Sequence, residues 1–321
     1  MHEKVMLPTH KTIAVILPAY NEALTIEAVI REFHRALPDA RIFVIDNNSG
    51  DNTAAIACQT LLTLGNSGAV IAEQRQGKGN ALRRAFTDID ADIYLLADAD
   101  LTYPAARAAD LLAPVMQNCA DMVVGDRHSG GHYAGQNKRR FHNFGNDLVR
   151  RLINFFFDSG LRDIMSGYRA FSKTFVKTYP VMVDGFQVET DMTLHALDKR
   201  FRIVELPIEY VDRPAGSFSK LNTLADGAKV LFAIFQILRY YKPFTFFGII
   251  AILLMALGLV ASIPVFHDWL LFRHIYHLPL AVLAAALEIV AVVMFSVALT
   301  MDSIAHQHKM NFELALLARR N

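Results

Sequence analysis

Two aspartates separated by one residue are the side chains of this sequence that point most directly to chemistry. Asp98 and Asp100 end an apolar run that reads LLADAD. In a β-strand alternate side chains point to one side, so a strand here would turn both carboxylates in the same direction. Hard oxygen ligands at that spacing suit Mg²⁺ or Mn²⁺ shared with a diphosphate. Acidic pairs also form turns, and the spacing alone leaves that alternative equally open.

A lysine between two glycines is a second candidate, for phosphate binding. Lys78 lies in the segment QGKGN, directly before a stretch with helical periodicity. Backbone N–H groups at a helix start can bind phosphate together with a cation. The segment is not a Walker loop, because neither Ser nor Thr follows the lysine. On its own, such a segment is more often a strand-to-helix turn.

Basic side chains beside glycines or loop signals form a third set. Their shared chemistry is contact with phosphate, and the segment RPAGSFSKL adds hydroxyl groups to two cations. For any single arginine, solvated surface is the more common role. The candidates are Arg127, Arg139, Arg140, Arg213, Ser219 and Lys220.

A helical segment near 140–157 combines apolar and basic positions. Its periodicity predicts a stripe that faces the core, and the arginines at its start and middle lie off this stripe. Phosphate at a membrane surface is a ligand that such arginines would meet. The predicted core stripe consists of Phe141, Phe144, Leu148, Leu152 and Phe155.

An alternating series of strands and helices must position these groups. Apolar, β-branched runs alternate with segments of helical periodicity, which predicts an α/β fold with a mostly parallel sheet. Asp51 is the expected N-cap of the second helix. Ligands bind at the carboxyl ends of such strands, so we expect the polar segments 18–22, 46–51, 98–100 and 125–127 to converge on one site. The predicted strands are 12–17, 41–45, 69–72, 93–97 and 121–124, and the predicted helices are 24–37, 53–64 and 80–89.

Two long apolar segments follow the α/β region. Residues 243–266 contain no charge, and as a helix they would span about 36 Å against roughly 30 Å of hydrocarbon. Residues 278–301 are interrupted only by Glu288, for which a lipid or partner contact and a helix–helix hydrogen bond are the two interpretations. Basic residues flank the pair, whereas Arg273 stands alone in the loop. The positive-inside rule then places both ends in the cytoplasm.

Composition supports this division. The net charge is +1 and the two cysteines have no metal-type spacing, which disfavours a nucleic-acid binder and a disulfide scaffold. No signal peptide is recognisable at the N-terminus, so we expect the first domain on the cytoplasmic side. Residues 225–242 form an amphipathic segment, which we expect to lie in the headgroup plane of the membrane. The alternative is a core helix of the first domain. The predicted parts are a catalytic domain at 1–224, an amphipathic helix at 225–242, a hairpin of two spans at 243–301 and a cytoplasmic tail at 302–321.

Eight short segments of the chain, given in sequence order at the end of this paragraph, resemble segments of the family 2 glycosyltransferases of the GT-A fold. Within them, the chain is similar to polyprenyl-phosphate glycosyltransferases, the group that includes dolichyl-phosphate mannose synthase and bacterial undecaprenyl-phosphate glucosyltransferases. The resemblance covers about residues 12–225, and two following spans agree with the bacterial members. The segments are PAYNE, IDNNSGD, GKGNALRRAF, DADLTYP, VVGDR, DIMSGYRAF, GFQVETDMT and DRPAGSFSKLNT.

The resemblance implies roles for single residues. Asp98 and Asp100 would hold Mg²⁺ or Mn²⁺ on the nucleotide diphosphate. Asp163 matches the carboxylate that acts as base or acceptor orienter, and Glu189 falls at a contact with the donor sugar. The nucleoside would be held by Pro18, Tyr20, Glu22 and Asp46, and the phosphates of donor and acceptor by Arg127, Arg139, Arg213 and Lys220, with Arg140 competing for the place of Arg139.

Two departures from the family pattern bear on specificity. Many relatives have two aspartates and a glycine where this chain has Asp46, Asn47 and Asn48, which weakens any inference about the base. Many also have Gln where Thr102 stands, so a metal ligand is missing there or is replaced by the hydroxyl or by water.

The function implied is inverting transfer of a sugar from a nucleotide sugar to a polyprenyl phosphate, for assembly of cell-envelope glycans or glycoconjugates. We expect the donor to be a UDP-sugar rather than a GDP-sugar, and we expect no nucleic-acid partner. The expected location is a bacterial plasma membrane, and self-association is left open. The alternatives are a synthase that builds polysaccharide processively, a sugar-1-phosphate nucleotidyltransferase and a membrane protein that only binds a nucleotide sugar. A QxxRW motif or a glycine-rich GxGxR signature would favour the first two, and neither is present.

Overall fold

A computed structural model describes residues 11–129, 140–184, 187–209 and 235–320. The chain divides into two compact units, Met1–Thr223 and Leu224–Asn321. The first unit contains a mixed sheet with helices on both faces. The second contains two long apolar helices.

The sheet of the first unit has the strand order β3-β2-β1-β4-β6-β5-β7. All paired neighbours are parallel except β6, which is antiparallel to both β4 and β5. The predicted α/β fold with a mostly parallel sheet is therefore confirmed. The described strands are β1 (Ile13–Ala19), β2 (Arg41–Asp46), β3 (Ala69–Ala72), β4 (Ile93–Leu96), β5 (Met122–Asp126), β6 (Arg169–Ser172) and β7 (Ile203–Pro207).

Helices cover the two faces of this sheet. The first, second and fourth helices pack on one face, and the third, sixth and seventh pack on the other. Central strands are buried from both sides, which explains their unbroken apolar runs. The helices of this unit are α1 (Ile26–Ala36), α2 (Thr53–Leu64), α3 (Lys78–Asp88), α4 (Ala108–Met116), α5 (Arg140–Phe157), α6 (Lys173–Thr178) and α7 (Val188–Asp198).

The direction of β6 determines which loops reach the carboxyl ends of the parallel strands. Arg169, its first residue, stands opposite both Leu96 of β4 and Val124 of β5. Residues 158–168, between α5 and β6, therefore return to the same edge as the segments after β4 and β5.

Helix α2 begins at Thr53 as predicted, but its N-cap differs from the prediction by one residue. Asn52 is the N-cap and makes no side-chain cap bond. Asp51, just before it, accepts hydrogen bonds from both the backbone N–H and the hydroxyl of Thr53. The carboxylate thus satisfies an N–H of the first turn from outside the cap position.

The predicted core stripe of α5 is wrong at Phe155, and the side chains of Phe141 and Phe144 lie outside the described part of the chain. Among the described side chains of this helix, Val149 and Ile153 face the core, and both are fully buried. Leu148 and Leu152 are only half-buried, and Phe155 is 79% exposed. Two neighbouring lines of this helix are apolar, and spacing alone cannot tell which one the protein covers.

The second unit contains α8 (Pro243–Phe272) and α9 (Leu278–Arg320), which are long and apolar enough to cross a membrane. They pack together along small residues that recur every seven positions, the spacing of a left-handed helix pair. Residues 235–241 are also helical, whereas 225–234 of the predicted amphipathic helix lie outside the described residues. The buried small residues are Ala251 and Gly258 on α8 and Ala284, Ala291 and Ala298 on α9.

Polar groups are also found in this hairpin. Asp268 accepts hydrogen bonds from the backbone of Tyr276 and from the ring of His277, and so closes the turn. The carboxyl of Glu288 lies against Gly258, where a Cβ atom would approach Oε1 to 2.6 Å. That oxygen is buried and has no hydrogen-bond partner among the described residues. The predicted helix–helix hydrogen bond is therefore not made through Oε1.

The tail expected after the second span is a continuation of α9. The helix has 43 residues, about 64 Å, roughly twice the thickness of the hydrocarbon layer. Apart from Glu288 it carries no charged residue up to Met301, and it carries several beyond it.

Candidate active site

The loops that follow β1 and β2 are joined by hydrogen bonds. Asn21 donates from its backbone to Ser49 Oγ at 3.0 Å and accepts from Gly50 N at 2.8 Å. Glu22 donates from its backbone to Thr53 Oγ1. Asn21 has a φ of 54°, a left-handed conformation that asparagine tolerates better than most residues. The segments 18–22 and 46–51 are therefore neighbours, as the sequence predicted.

Asp46 ends β2 beside these loops. Its Oδ1 is buried and has no hydrogen-bond partner among the described residues. A buried acceptor without a donor costs free energy unless a ligand or water supplies one. Ala19 stands opposite Asp46 in the sheet, with half-buried Pro18 and Tyr20 on either side. This arrangement suits a ligand that carries an N–H or O–H group.

Asn47 connects β2 to the loop that precedes α3. Its side-chain amide donates to the carbonyls of Glu73 and Arg75, at 3.3 and 2.6 Å, and accepts from Gly77 N at 2.7 Å. An ionised aspartate could accept the last bond but could not donate the other two. The asparagine that departs from the family pattern therefore holds the backbone in front of Lys78.

Lys78, the first residue of α3, is buried between two carboxylates. Its Nζ lies 2.5 Å from Asp98 Oδ1 and 2.6 Å from Glu189 Oε1. Burial lowers the pKa of Lys78, but the charges of Asp98 and Glu189 raise it by a larger amount. The net shift of the pKa is therefore upward, and the amine stays protonated. The cation predicted to meet phosphate is thus already paired, and it draws two predicted site residues together.

Asp98 and Asp100 lie after the end of β4, so strand alternation does not set their directions. Asp98 is held by Lys78 and by the close approach of Gly167, where a Cβ atom would come within 3.0 Å of Asp98 Oδ2. Asp100 is buried and accepts hydrogen bonds from the backbone N–H and hydroxyl of Thr102. Leu101, directly after Asp100, has a φ of 64°, an unusual value for a branched side chain. A strained turn therefore directly follows the pair.

The aspartate pair fits a cation that needs other ligands as well. Among the described residues, three or more His, Cys, Asp or Glu side chains do not cluster around any one point as metal ligands would. Two carboxylates suit a Mg²⁺- or Mn²⁺-type ion that keeps water and shares a diphosphate. The hydroxyl of Thr102 donates a hydrogen bond to Asp100, so Thr102 orients that carboxylate.

Asp163 and Arg127 form a second buried pair at this edge. Two guanidinium nitrogens of Arg127 donate to the two carboxylate oxygens, at 2.7 and 2.9 Å, and the Arg127 N–H adds a third bond. Burial raises the pKa of Asp163, but the charge and hydrogen bonds of Arg127 lower it more, so the net pKa lies below its ordinary value. Such a carboxylate is a weak proton acceptor.

Glu205 on β7 supports the loop that carries Asp163. Its carboxylate accepts from the backbone N–H groups of Arg162 and Asp163, at 2.8 to 2.9 Å. Burial raises the pKa of Glu205, while these hydrogen bonds oppose the rise.

Arg169 is a buried residue that sequence reasoning missed. Its guanidinium is fully buried and donates to the carbonyls of Ile164 and Ser166 and to the hydroxyl of Thr193 on α7. It therefore ties the loop of Asp163 and Gly167 to the helix that bears Glu189. A signal was available, because an arginine inside the apolar segment GYRAF is rarely buried without polar partners.

Some predicted site residues lie outside this description. Lys78, Asp98 and Glu189 form one cluster, and Arg127 and Asp163 form another. Arg139, Arg213, Ser219 and Lys220 lie outside the described residues, and of Arg140 only the backbone, at the start of α5, is described.

One edge of this α/β sheet thus carries an acidic pair, a buried lysine and a buried acceptor without a partner among the described residues. Residues 14–179 match the family model for glycosyl transferase family 2. The match covers more than half of the chain, which therefore belongs to this family of glycosyltransferases.

Two curated relatives extend over most of the chain. A protein from Haloferax volcanii, glycosyltransferase AglJ, is 32% identical over 282 residues, covering 87% of this chain and 89% of that protein. Polyprenol monophosphomannose synthase from Mycolicibacterium smegmatis is 27% identical over 252 residues, covering 73% of this chain and 88% of that enzyme.

A solved structure shows the same fold. Glucosyl-3-phosphoglycerate synthase from Mycobacterium tuberculosis, in complex with Mn²⁺, UDP and glucosyl-3-phosphoglycerate, superimposes with a TM-score of 0.54 at 22% identity. The match covers 71% of this chain and 79% of that one. The GT-A fold is thus shown, in agreement with the resemblance.

Proposed function

We propose that this glycosyltransferase moves a sugar from a nucleotide sugar to the phosphate of a membrane polyprenyl phosphate, with inversion at the anomeric carbon. The observation that carries the proposal is the union, in one chain, of a GT-A acidic edge with two helices long enough to cross a membrane. A relative whose name includes polyprenol supports the lipid acceptor. The product would serve assembly of cell-envelope glycans or glycoconjugates.

The nucleoside end of the donor is assigned to the loops after β1 and β2. Asp46 Oδ1 offers a buried acceptor to an N–H or O–H of the base or ribose. Pro18, Tyr20 and Glu22 line the neighbouring loop, which is fastened to the Asp51 segment. The assignment of UDP rather than GDP is part of the proposal, and the UDP of the solved GT-A structure supports it.

The diphosphate end is assigned to Asp98 and Asp100. These two carboxylates would hold the Mg²⁺ or Mn²⁺, which when bound offsets the negative charge that develops on the departing nucleoside diphosphate. Lys78 keeps Asp98 and Glu189 in place, and Glu189 then lies where the donor sugar would bind. Arg139, Arg213, Ser219 and Lys220 are proposed to contact the phosphates.

Asp163 is proposed to orient the acceptor. A phosphate monoester has its second pKa near 6 and is largely a dianion at neutral pH, so its oxygen needs little help in losing a proton. A carboxylate whose pKa Arg127 holds down is poorly suited to take one. The Arg127–Asp163 pair instead presents fixed charge and hydrogen-bonding groups to the acceptor phosphate. Catalysis would then rest on bringing two anions together in a fixed geometry.

The membrane assignment follows from the second unit. With more basic residues outside the apolar segments 243–266 and 278–301 than between them, the first unit would lie on the cytoplasmic face of a bacterial plasma membrane. A water-soluble donor and a lipid acceptor would meet there.

The test uses the purified full chain. It is incubated with a panel of nucleotide sugars, a short-chain polyprenyl phosphate and Mg²⁺ or Mn²⁺, and the lipid product is identified by mass. We expect one polyprenyl-phosphate sugar, and loss of at least about 100-fold in turnover for Asp98→Asn or Asp100→Asn in a protein that stays folded. A growing polymer, a glycosylated protein or turnover that survives chelation would overturn the proposal.

A further inference from the structure

Helix α5 carries more apolar surface than the core covers. Leu148, Leu152 and Phe155, spaced by four and three residues, lie along one line of the helix, here called the α5 stripe. Phe155 is 79% exposed and the two leucines are half-buried. The core contact of the helix is made by Val149 and Ile153 on the adjacent line. An exposed phenylalanine continuous with half-buried leucines indicates a surface that binds something.

Positive charge borders the α5 stripe. Arg151 is 74% exposed and pairs with Asp147 at 2.7 Å, and Arg150 pairs with the same carboxylate. Along the helix, Arg140, Arg150 and Arg151 outnumber Asp147, so the charge is net positive. An apolar line beside arginines is the pattern of a helix that lies in the headgroup plane of a bilayer. Anionic lipids would add electrostatic attraction.

The C-terminal end of α5 is fastened to the site. Asn154 donates from its side-chain amide to the carbonyl of Leu161 and accepts from the Leu161 N–H, at 2.9 and 3.2 Å. Leu161 directly precedes Arg162 and Asp163, whose backbone N–H groups are held by Glu205. A surface that binds α5 would therefore also fix the distance between that surface and the loop of Asp163.

We propose that the α5 stripe docks on the lipid bilayer, with the Phe155 ring inserted below the headgroups and Arg151 among them. The same chain carries two helices long enough to span a membrane, which keeps the soluble unit near lipid. A second copy of the chain is a poor occupant, because one line of three side chains is far smaller than the roughly 1,200 Å² of a stable interface. A role of this docking in delivering the lipid acceptor to the site rests on the proposed function, whereas the docking itself does not.

Tryptophan quenching in the full chain tests the docking. Trp269, the only tryptophan, is first replaced by phenylalanine. Phe155→Trp is then compared with Leu62→Trp, a matched control at a 72% exposed position of α2. Both variants are reconstituted in phosphatidylcholine–phosphatidylglycerol vesicles whose acyl chains carry bromine near the headgroup. An interfacial helix buries its apolar face by roughly 5–10 Å, within reach of these bromines.

We expect the tryptophan at position 155 to be quenched at least about twofold more strongly than the one at position 62. Equal quenching at the two positions would overturn the proposal. So would a blue-shifted but unquenched signal at position 155, because a protein surface would then cover the stripe.

A second measurement links docking to turnover. Phe155→Ser should raise the apparent KM for a long-chain polyprenyl phosphate in vesicles by about tenfold and leave kcat, and the KM for a short acceptor in detergent, close to the parent values. Leu62→Ser should change neither. An unchanged KM beside strong quenching would contradict the role of the stripe in acceptor delivery and leave the docking intact. Absence of any lipid product would count against the proposed function alone.

Discussion

At the scale of single residues, the site depends on side chains whose partners come from distant parts of the chain. Asp98 and Asp100 could be found from the sequence because acidic groups after an apolar strand are conspicuous. The pairing of Lys78 with Asp98 and Glu189 could not, since three separate elements must first be packed together. Arg127 and Asp163 were both identified as site residues, but only the fold shows that each determines the state of the other.

Asn47 offers a direct test of a departure from the family pattern. Asn47→Asp replaces the amide donor with a carboxylate that faces the carbonyls of Glu73 and Arg75. We expect a loss of about 1–3 kcal/mol in unfolding free energy, measured by denaturation of the purified protein. Asn48→Asp is the matched control: the residue is exposed, and aspartate tolerates its φ of 61°. A control loss as large as that of Asn47→Asp would refute this explanation.

Lys78 offers a test of the buried charge cluster. Lys78→Met leaves the buried carboxylate of Glu189 and the partly buried one of Asp98 without their cation. Unfolding free energy should fall by about 3–5 kcal/mol, the usual cost of removing one partner of a buried pair. Lys173→Met, which breaks the exposed pair with Asp90, should lower it far less, because water screens that pair. Similar losses in both variants would show that the cluster is not buried as described.

At the scale of elements, the strands were easier to predict than their directions. The five strands from β1 to β5 were identified from apolar runs and differ from prediction by no more than two residues at an end. The short strands β6 and β7 were not identified, and nothing local shows that β6 is antiparallel, because its direction depends on the return of the chain after α5. The error in α5 has a similar cause, since the choice between adjacent apolar lines is made by the neighbouring helix.

Helix α7 should make the soluble unit sensitive to acid. His195 is buried among aromatic rings, and burial lowers its pKa from 6.5 to about 4. The pKa of His195 is lower in the folded state than in the unfolded state. Its contribution to the free energy of unfolding is therefore fully present above pH 6.5 and is lost as the pH falls towards 4. The loss amounts to about 3 kcal/mol.

Melting temperature measured across this pH range tests the assignment. His195→Gln should flatten the plot of melting temperature against pH between pH 6.5 and 4. In this variant the unfolded chain no longer binds a proton at position 195 that the folded chain does not bind. His308→Gln, at an exposed position of α9, should leave the curve unchanged. A parent-like slope in the His195 variant would assign the acid sensitivity to other groups.

At the scale of the whole molecule, the charged residues nearly disappear between Lys242 and Asp302, and this change in composition predicts a membrane part. The side of the membrane on which the first unit lies can be tested with its own thiols. Cys58 and Cys119 are free and exposed. A maleimide that cannot cross membranes should leave both unlabelled in intact cells and label them in inverted vesicles. Labelling in intact cells would reverse the proposed orientation.

The uninterrupted course of α9 has a practical consequence for electron microscopy. A 36 kDa chain offers few landmarks for aligning particle images. A helical bundle fused in register after Arg320 would continue the same rod, since no proline or glycine follows Pro279 in this helix. The attached mass would then turn rigidly with the second span and serve as a fiducial marker.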